Sequence, residues 1–438
     1  MVDSQYKNIS SYTTPSPSSE RRGKSRKVIA IVGPTASGKT GIGVKLAKEF
    51  SAKGGPASGW DGAEIVSADS RQVYFGLDLG TGKEGEPSQR NTNNQETITK
   101  KIPNPKIQIP KFKANNNFTA PNPSLERRGI EQLRSNLRYI DDVPQWMIDI
   151  VEPGEKMTLF DYLPLARLAI EDIFSRGKLP IIVGGTGLYV QGLVEGFELE
   201  QTFTPASCPV IPAEAGIQDS LTGSPGTTLS PRLGSQAGQA AGPEDDKLTR
   251  EHLDKLTVEQ LNDIISKLDP DKVKTVDAKN RHRLIRAIEL AQGGLRPTKV
   301  KPDFETLQIA IDLPRQELFD RIDRRVDERF EQGMLEEVQS LLDQGISSDW
   351  LLSLGLEYKL ITQFLVSGIT YNVLGNKSHN TLYEIRNTAE FMAMSQDLKY
   401  KIHQFARRQL TWLRRFPEIN WLTDYKEMER FAKIFLSH

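Results

Sequence analysis

The chain has 438 residues, of which 37% are hydrophobic and 26% charged, a composition that is ordinary for globular proteins and long enough for two or three domains. Lys and Arg number 57 in total, as do Asp and Glu, so binding to a polyanion has to depend on local clusters of charge. The single cysteine, Cys208, excludes an internal disulfide and a cysteine-based zinc site, and it indicates a reducing, cytoplasmic setting. No apolar run approaches the roughly 18 residues of a membrane-spanning helix, which argues against membrane integration.

Three low-complexity segments, residues 10–27, 85–128 and 204–246, interrupt the patterned parts of the chain. They are dense in Pro, Ser, Asn, Thr or Gly and hold too few apolar residues to offset the entropy cost of ordering. We expect them to be mobile and assign them no chemistry. The predicted organisation, in chain order, is a disordered tail over residues 1–27, a core over 28–196 with an insertion at 84–143, an insertion domain over 197–275 with a low-complexity stretch at 204–246, and a C-terminal part over 276–438.

Hydrophobic patterning predicts different structures for the two halves of the chain. In the first half, short apolar runs alternate with helical patterns, which is typical of a parallel α/β sheet. The predicted elements there are strands at 28–32, 64–68, 147–151 and 180–183 and helices at 42–50 and 161–176. From residue 247 onward the pattern indicates helices at 258–267, 279–292, 315–344 and 388–415, with one strand possible at 307–313.

A glycine-rich segment between the first predicted strand and helix matches the phosphate-loop template G-x-x-x-x-G-K-[ST]. Its residues are Gly33, Pro34, Thr35, Ala36, Ser37, Gly38, Lys39 and Thr40. Backbone N–H groups and the helix N-terminus can surround phosphate oxygens, Lys39 adds positive charge, and the Thr40 hydroxyl can hold Mg²⁺. The alternative is a chance match in a glycine-rich turn, which the flanking strand and helix disfavour.

The loop and the patterning together predict the fold class and the kind of ligand. We expect an α/β fold with a P-loop NTPase-like parallel sheet core, a small helical insertion domain and a helical C-terminal region. We also expect a di- or triphosphate ligand with Mg²⁺. The identity of that ligand stays open, because the physics of such a loop requires only a pyrophosphate-like group.

Two polar side chains follow predicted strands at the edge of the sheet where α/β proteins build their sites. Asp69 comes directly after the strand 64–68 and is the candidate general base; the alternative for an isolated Asp there is a helix N-cap or a structural carboxylate. Thr186 follows the strand 180–183 in the glycine turn 184–189 and can donate a hydrogen bond to phosphate or to the reacting centre. The turn alone is weak evidence, because it is also typical of a tight strand-to-helix connection.

Arg321 and Arg325 lie four residues apart on the predicted helix 315–344 and share one face. Such a pair can neutralise charge on a leaving pyrophosphate. The alternative is a solvated face of salt bridges. Acidic residues available for those salt bridges are Glu317, Asp320, Asp323 and Glu328.

In this order, these elements resemble the bacterial type of the tRNA dimethylallyltransferase family, also called tRNA isopentenyltransferase. Besides the phosphate loop, the motifs are Ser-Ala-Asp-Ser-Arg-Gln-Val-Tyr at 67–74, Gly-Thr-Gly-Lys at 80–83, Gly-Gly-Thr-Gly-Leu-Tyr at 184–189, Arg-Leu-Ile-Arg-Ala-Ile-Glu at 283–289, Arg-Ile at 321–322, Arg-Val at 325–326 and Gly-Met-Leu-Glu-Glu-Val at 333–338. The resemblance covers most of residues 27–422, apart from the inserts.

The resemblance implies transfer of a dimethylallyl group from dimethylallyl diphosphate to N6 of adenosine 37, in tRNAs that read codons beginning with U. It implies that Asp69 takes the proton from the adenine amino group and that Thr186 orients the reacting centre. Residues 35–40 hold the diphosphate with Mg²⁺, and Arg321 and Arg325 lie nearby. The implied tRNA-binding residues are Asp69, Ser70, Arg71, Gln72, His282, Arg283, Leu284, Ile285 and Arg286.

The chain departs from the family pattern at several places. Gln145 and Trp146 stand where the family has a His-His pair, the insert 204–246 occupies the entrance to the helical domain, and residues 355–359 match a Gly-Tyr-Lys-Glu stretch only loosely. The segment 399–416 interleaves basic and aromatic residues and suits an RNA backbone, although the pattern also fits an amphipathic helix with inward aromatics.

Three other functions compete with this prediction. They are a P-loop kinase of a nucleotide or other small molecule, an adenylate isopentenyltransferase that uses free AMP, and a non-catalytic RNA-binding protein. We expect a monomer, because no heptad seam is sustained along the chain.

Overall fold

The computed structural model describes residues 26–51, 60–87, 123–201, 248–293, 295–367 and 385–437. The predicted tail up to residue 25, and the insert residues 88–122 and 202–247 with Cys208, lie outside this part of the chain. In the ranges that are described, no helix is both long and apolar enough to cross a membrane. The described residues form two compact units. The chain passes from the first unit to the second between Phe197 and Glu198 and returns to the first between Thr298 and Lys299.

The first unit is built on an eight-stranded sheet with the order β10-β9-β1-β6-β2-β5-β4-β3, and β7 and β8 form a separate pair. The strands are β1 (Lys27–Val32), β2 (Ala63–Ser67), β3 (Glu86–Pro87), β4 (Arg138–Ile140), β5 (Val143–Trp146), β6 (Leu179–Gly184), β7 (Phe197–Gln201), β8 (Leu295–Lys299), β9 (Glu305–Ile311) and β10 (Asn420–Leu422). Neighbours from β10 through β5 run parallel, whereas β4 and β3 are added antiparallel at one edge.

Helices cover both faces of this sheet, which explains why the central strands are continuous apolar runs. The helices of the first unit are α1 (Lys39–Ser51), α2 (Pro123–Ser135), α3 (Leu159–Ser175), α4 (Gly187–Val194), α9 (Arg315–Glu331), α10 (Met334–Asp343), α11 (Ser348–Ser353), α12 (Leu356–Val366), α13 (Ala389–Leu413) and α14 (Tyr425–Ser437). Between α4 and α9 in the chain, the second unit contributes α5 (Arg250–Leu253), α6 (Val258–Leu268), α7 (Pro270–Val273) and α8 (Arg281–Gln292).

The central strand β1 shows how the two hydrophobic cores are separated. Its residues alternate between the faces of the sheet, as successive side chains of a strand must. Val28 and Ala30 pack in the core that includes α3, α4, α9 and α13, whereas Ile29 and Ile31 pack in the core formed with α1 and α14. Both cores therefore fix the end of β1, from which the phosphate loop emerges.

The second unit contains α5, α6, α7 and α8 and has a hydrophobic core of its own. Leu261, Ile265, Leu284 and Ile285 are fully buried in it. Side chains cap the starts of these helices; the capping residues are Thr249, Thr257, Asp269 and Asn280.

The predicted α/β class with a parallel sheet is confirmed, and the predicted strand 307–313 is present as β9. Several boundaries differ. The strand predicted at 147–151 is β5 (Val143–Trp146), and the residues after it cannot continue an extended strand because Met147 and Asp149 have φ of 67° and 52°. The helix predicted at 315–344 is divided into α9 and α10 at Gly333, whose φ is 105°.

The structure also corrects two predicted segments. The predicted insertion 84–143 contains β3, α2 and β4, so its C-terminal portion belongs to the sheet and its surroundings. The compact second unit extends to Thr298 and includes α8, which was predicted to belong to the C-terminal part, residues 276–438. Helix α8 belongs there because Leu284, Ile285 and Ile288 complete the core of the second unit.

Candidate active site

The phosphate loop follows β1 and leads into α1, as predicted. Thr35, Ala36, Gly38, Lys39 and Thr40 line a cavity in the first unit, whereas Gly33, Pro34 and Ser37 do not. The backbone at Gly38 has a φ of 88°, a left-handed conformation that glycine adopts without strain. The Ser37 hydroxyl is buried and has no hydrogen-bond partner among the described residues. The loop therefore presents Thr35, Ala36 and the residues from Gly38 to Thr40 to the cavity.

Lys39 supplies a buried positive charge to the cavity. Its ammonium donates to the Pro34 carbonyl at 2.6 Å. Burial lowers the pKa of Lys39 to about 8, an effect that the charge of Asp69 partly offsets and the charge of Arg325 increases. An anion bound beside the ammonium would relieve this destabilised charge, so the loop is suited to a phosphate group.

Asp69 and Thr186 lie next to the loop, and the structure brings both into the same cavity. Asp69 Oδ1 accepts from the backbone N–H of Arg71 at 2.9 Å. The Thr186 hydroxyl oxygen accepts from the N–H of Ser70 at 3.0 Å. Any Cβ on Gly184 would stand 2.2 Å from the Ala68 carbonyl oxygen, so glycine is required where the ends of β2 and β6 meet. The turns that follow β2 and β6 therefore form one wall of the cavity together.

The two arginines of the predicted pair lie in different environments. Arg325 lines the cavity, and its Nη2 lies 3.5 Å from the Gly82 carbonyl oxygen. Arg321 does not line it; its guanidinium pairs with Glu317 at 2.6 Å and lies beside the loop, 3.7 Å from the position of a Cβ on Gly38. The alternative of a solvated salt bridge therefore describes Arg321, and Arg325 is the member of the pair that lines the cavity.

Sequence reasoning missed Arg329, which lies one turn after Arg325 and also lines the cavity. Its guanidinium donates to the Gly80 carbonyl at 3.2 Å and to Glu357 at 3.3 Å. Burial, together with the charge of Arg325, lowers the pKa of Arg329 to about 10, so it stays charged at neutral pH. Arg329 lies four residues after Arg325 and therefore on the same face of the helix, so the spacing alone could have predicted it.

Glu357 is a second residue that sequence reasoning missed, in the stretch 355–359 that matches the family only loosely. It is 3% exposed and lies between Arg71 and Arg329, with its oxygens 2.5 Å and 3.3 Å from their guanidinium nitrogens. Burial opposes the charge of this carboxylate, but the two arginines outweigh burial and hold its pKa below the usual value. Glu357 thereby keeps two cavity arginines in place.

Glu337 orders the backbone that leads into the motif at 80–83. Its carboxylate accepts from the N–H groups of Asp78, Leu79 and Gly80 at 2.9, 2.7 and 3.2 Å. It also accepts from the Tyr358 hydroxyl at 2.7 Å. This explains the matching motif at 333–338 as a structural support for the cavity wall.

The motif residue Lys83 belongs to a buried ionic network. Its ammonium lies 2.5 Å from Asp149 and 3.0 Å from Asp78, and Arg138 contacts the same two carboxylates at 2.6 and 2.8 Å. Two positive and two negative side chains therefore pair with one another where the antiparallel strand β4 joins the sheet.

Gln145 and Trp146, which replace the family's His-His pair, have structural contacts on β5. The Gln145 amide donates to the Glu84 carbonyl at 3.2 Å, and the Trp146 indole N–H donates to the Glu64 carboxylate at 2.7 Å. Both side chains are buried, and neither lines the cavity.

Helix α13 contributes Phe405 and Gln409 to the cavity. In the segment 399–416, Arg407 and Arg408 are exposed, as are Arg414 and Arg415. Of its aromatics, Tyr400 is 54% exposed, and the others are partly buried. The helix thus combines a cavity-facing side with exposed cations.

The predicted tRNA-binding residues fall into two groups. Ser70, Arg71 and Gln72 line the cavity with Asp69. In the second unit, His282, Arg283 and Arg286 are exposed on α8. The side chains of Leu284 and Ile285, which are predicted with them, are fully buried in the core of that unit, so only their backbone is available for a contact with tRNA.

The fold and the cavity together define a P-loop α/β protein in which the phosphate-loop motif lies beside a carboxylate. A sequence model described as IPP transferase matches residues 134–416. The chain therefore belongs to the IPP transferase family.

Individual relatives agree with this assignment. The tRNA dimethylallyltransferase 2 of Shewanella sediminis is 31% identical over 406 residues, which cover 91% of this chain and 94% of that protein. The tRNA dimethylallyltransferase of Thermomicrobium roseum is 30% identical over 404 residues, covering 91% and 86%. A solved structure of a eukaryotic dimethylallyltransferase acting on tRNA covers 92% of this chain and 75% of its own, with a TM-score of 0.52 and 19% identity, which shows a shared fold. The predicted family is confirmed, and a P-loop kinase is not favoured.

Proposed function

We propose that the chain transfers a dimethylallyl group from dimethylallyl diphosphate to N6 of adenosine 37, in tRNAs that read codons beginning with U. The observation that supports this most directly is that the phosphate loop and Asp69 line one cavity. Such a cavity can bring a diphosphate leaving group and an accepting base together.

The reaction needs a proton acceptor and a stabilised leaving group. The adenine has to leave its stack before N6 can reach the cavity. As the new N6–carbon bond forms, the carbon–oxygen bond to the diphosphate breaks and the N6 proton passes to the Asp69 carboxylate. Lys39, Arg325 and the loop N–H groups stabilise the negative charge that the departing diphosphate gains. Thr186, held by Ser70, orients the group beside Asp69.

We include Mg²⁺ as the metal of this site, on the chemistry of its donors. Across the described ranges, no cluster of three or more His, Cys, Asp or Glu residues could hold a metal ion by itself. Mg²⁺ prefers oxygen ligands and is commonly held by few protein groups together with substrate phosphates. Thr40 lines the cavity at the start of α1, so its hydroxyl suits this role. When bound, the ion would neutralise charge on the diphosphate.

The setting that we propose is a cytoplasmic monomer. The single cysteine supports a reducing compartment, and the absence of a sustained heptad seam in the sequence supports a single chain. Size-exclusion chromatography with light scattering would test the oligomeric state, and a dimer at micromolar concentration would contradict it.

The first prediction concerns Asp69. We expect purified protein with Mg²⁺, dimethylallyl diphosphate and an unmodified tRNA with three adenosines centred on position 37 to form isopentenyl-adenosine, measured by nucleoside mass spectrometry. Asp69→Asn should lower the rate by about 10²–10⁴-fold, the usual contribution of a general base. Asp69→Ala should lose at least as much, and pyrophosphate binding should persist in both variants.

Asp142→Asn is the matched control, because Asp142 is exposed in the turn between β4 and β5. An unchanged rate in Asp69→Asn would contradict the assigned base. Product formed from AMP would indicate an adenylate isopentenyltransferase. Phosphate transfer from ATP would indicate a kinase, and tRNA binding without any product would indicate a non-catalytic RNA-binding protein.

A further inference from the structure

One side chain of α13 connects two of the loops that form the cavity. Gln409 Oε1 accepts from the backbone N–H of Thr35 at 2.9 Å, and Gln409 Nε2 donates to the Gly185 carbonyl oxygen at 2.7 Å. The two partners fix the orientation of the amide, because an N–H can only donate and a carbonyl can only accept. Gln409 therefore joins the phosphate loop to the turn after β6.

The space around this amide is tightly filled. A Cβ on Gly185 would stand 3.0 Å from Gln409 Nε2, 3.5 Å from Lys39 Nζ and 3.5 Å from the Gly33 carbonyl oxygen. Glycine at 185 lets the turn approach both the amide and the loop. The Gln409 amide and the Lys39 ammonium thus both lie close to Gly185.

Contacts on both sides of Gln409 hold α13 in place. One turn earlier, Phe405 lies in the cavity with the guanidinium carbon of Arg71 5.9 Å from its ring centre. After Gln409, Trp412 packs so closely on Gly187 that a Cβ there would be 2.1 Å from the ring. The helix cannot shift along its axis without moving the amide.

Polar contacts attach the preceding turns of α13 to α9, the helix that bears Arg325. Lys399 forms an ion pair with Asp327 at 2.6 Å, and His403 Nε2 lies 2.8 Å from Asp323 Oδ1. Gln409 is thereby anchored to elements that form the rest of the cavity wall.

From this geometry we infer that Gln409 is a positioning residue for the diphosphate. This role rests on the proposed function and deepens it: by accepting from the Thr35 N–H, the Gln409 amide holds the backbone of the phosphate loop in place, so that Lys39 and the rest of the loop are oriented before the ligand arrives. A loop that is already ordered loses less conformational entropy on binding, and this strengthens affinity. Gln409 itself exchanges no proton or group with either substrate.

The test compares three substitutions at this position with a control on the same helix. Gln409→Leu removes both hydrogen bonds and nearly keeps the volume. Gln409→Glu keeps an acceptor for Thr35 but loses the donor to Gly185 and adds a charge that repels the diphosphate. Gln409→Asn keeps the amide on a side chain one methylene shorter. Gln396→Leu is the control, because Gln396 is exposed on α13 and does not line the cavity.

Calorimetry with inorganic pyrophosphate and Mg²⁺ measures the diphosphate site without requiring turnover. We expect Gln409→Leu to bind about tenfold more weakly, the effect of losing roughly two hydrogen bonds of modest net strength. Gln409→Glu should bind about 100-fold more weakly, because repulsion adds to the lost donor. The KM for dimethylallyl diphosphate should rise in parallel, while kcat and the Kd for tRNA stay within about twofold, as is usual for sites that are not contacted.

Equal pyrophosphate affinity in Gln409→Leu and Gln396→Leu would overturn the inference, as would an equal loss of tRNA affinity and pyrophosphate affinity. If Gln409→Leu does not fold, judged by circular dichroism, Gln409→Asn decides: weakened pyrophosphate binding supports the role and unchanged binding overturns it. A wild-type chain that binds pyrophosphate but forms no isopentenyl-adenosine would refute the proposed function and leave the binding comparison valid.

Discussion

The cationic side chains in and beside the cavity differ in how strongly water screens their charge. Arg325 and Arg329 lie inside the cavity wall, whereas the Arg321 side chain is 40% exposed and already paired with Glu317. Interaction with a developing negative charge is stronger where water is excluded. For the proposed reaction we therefore expect Arg325, with Arg329 beside it, to stabilise the leaving diphosphate more strongly, and Arg321 to make a smaller, salt-sensitive contribution.

Lys39 gives the diphosphate site a dependence on pH. In the free protein, burial lowers the pKa of Lys39 to about 8, and a bound diphosphate would raise this pKa because it favours the charged ammonium. Above pH 8, binding has to take up a proton. We predict that pyrophosphate affinity, measured relative to that of Lys39→Arg, falls by about tenfold for each pH unit above 8, the slope for one linked proton.

Calorimetry between pH 7 and 9.5 would measure this slope. Lys39→Arg is the control, since arginine stays charged throughout and its profile contains only the titration of pyrophosphate itself. Identical slopes in the two proteins would show that Lys39 does not lose its proton in this range.

Site residues could be predicted where the signal is local in sequence. Asp69 and Thr186 each follow a strand directly, and parallel strands bring their carboxyl ends to one edge. Gln409 gives no such signal, because its partners are 374 and 224 residues away and it lies between ordinary basic residues of a helix. Glu357 was missed for a similar reason: 286 residues separate it from Arg71, its partner in the cavity.

At the scale of elements, a buried carboxylate on β2 connects the sheet to α3. Glu64 is 2% exposed and accepts from Arg176 at 2.5 and 2.8 Å, from Lys178 at 2.7 Å and from Trp146 at 2.7 Å. Burial opposes its charge, but these hydrogen bonds outweigh burial and lower the pKa of Glu64 to about 2. The end of α3 is therefore tied to β2, β5 and the start of β6.

We predict that Glu64→Gln lowers the free energy of unfolding at pH 7 by about 3 kcal/mol, the equivalent of the pKa depression. The folded pKa lies below the unfolded one, so this stabilisation is complete above the unfolded pKa, near 4.5, and is lost as pH falls toward 2. The difference between wild type and variant should thus stay constant from pH 7 to about 5 and narrow at lower pH.

Urea unfolding followed by tryptophan fluorescence at several pH values would check this. Glu131→Gln, at an exposed position of α2, serves as the control. A difference that does not change with pH would mean that packing, rather than the charge of Glu64, is what the substitution removes.

Element boundaries were predictable where patterning alone decides them, as for β1 and α1. They were missed where backbone conformation decides. Gly333 divides a helical pattern that continues across it, and positive φ at Met147 and Asp149 ends β5 before an apolar run that reads as a strand. Arg283 and Arg286 are exposed whereas Leu284 and Ile285 between them are buried, because a helix turns successive residues to different faces.

At the scale of the whole molecule, every residue that lines the cavity belongs to the first unit, and the second unit has a hydrophobic core of its own. Diphosphate binding should therefore depend on the first unit alone. The family resemblance assigns tRNA contacts to α8, in the second unit. The two substrates should thus respond differently to damage in that unit.

We predict that Ile285→Ala, which removes a fully buried side chain, costs the second unit about 2–5 kcal/mol, as large-to-small core substitutions do. Hydrogen exchange should speed up in residues 250–292, and isopentenyl-adenosine formation should fall because the surface of α8 is no longer held in place. Pyrophosphate affinity should remain within about twofold of wild type, since its site has a separate core. Ile285→Val, which costs about 1 kcal/mol, is the graded control. A parallel loss of pyrophosphate affinity in Ile285→Ala would contradict this prediction. It would mean that the two units are energetically coupled and that diphosphate binding depends on both of them.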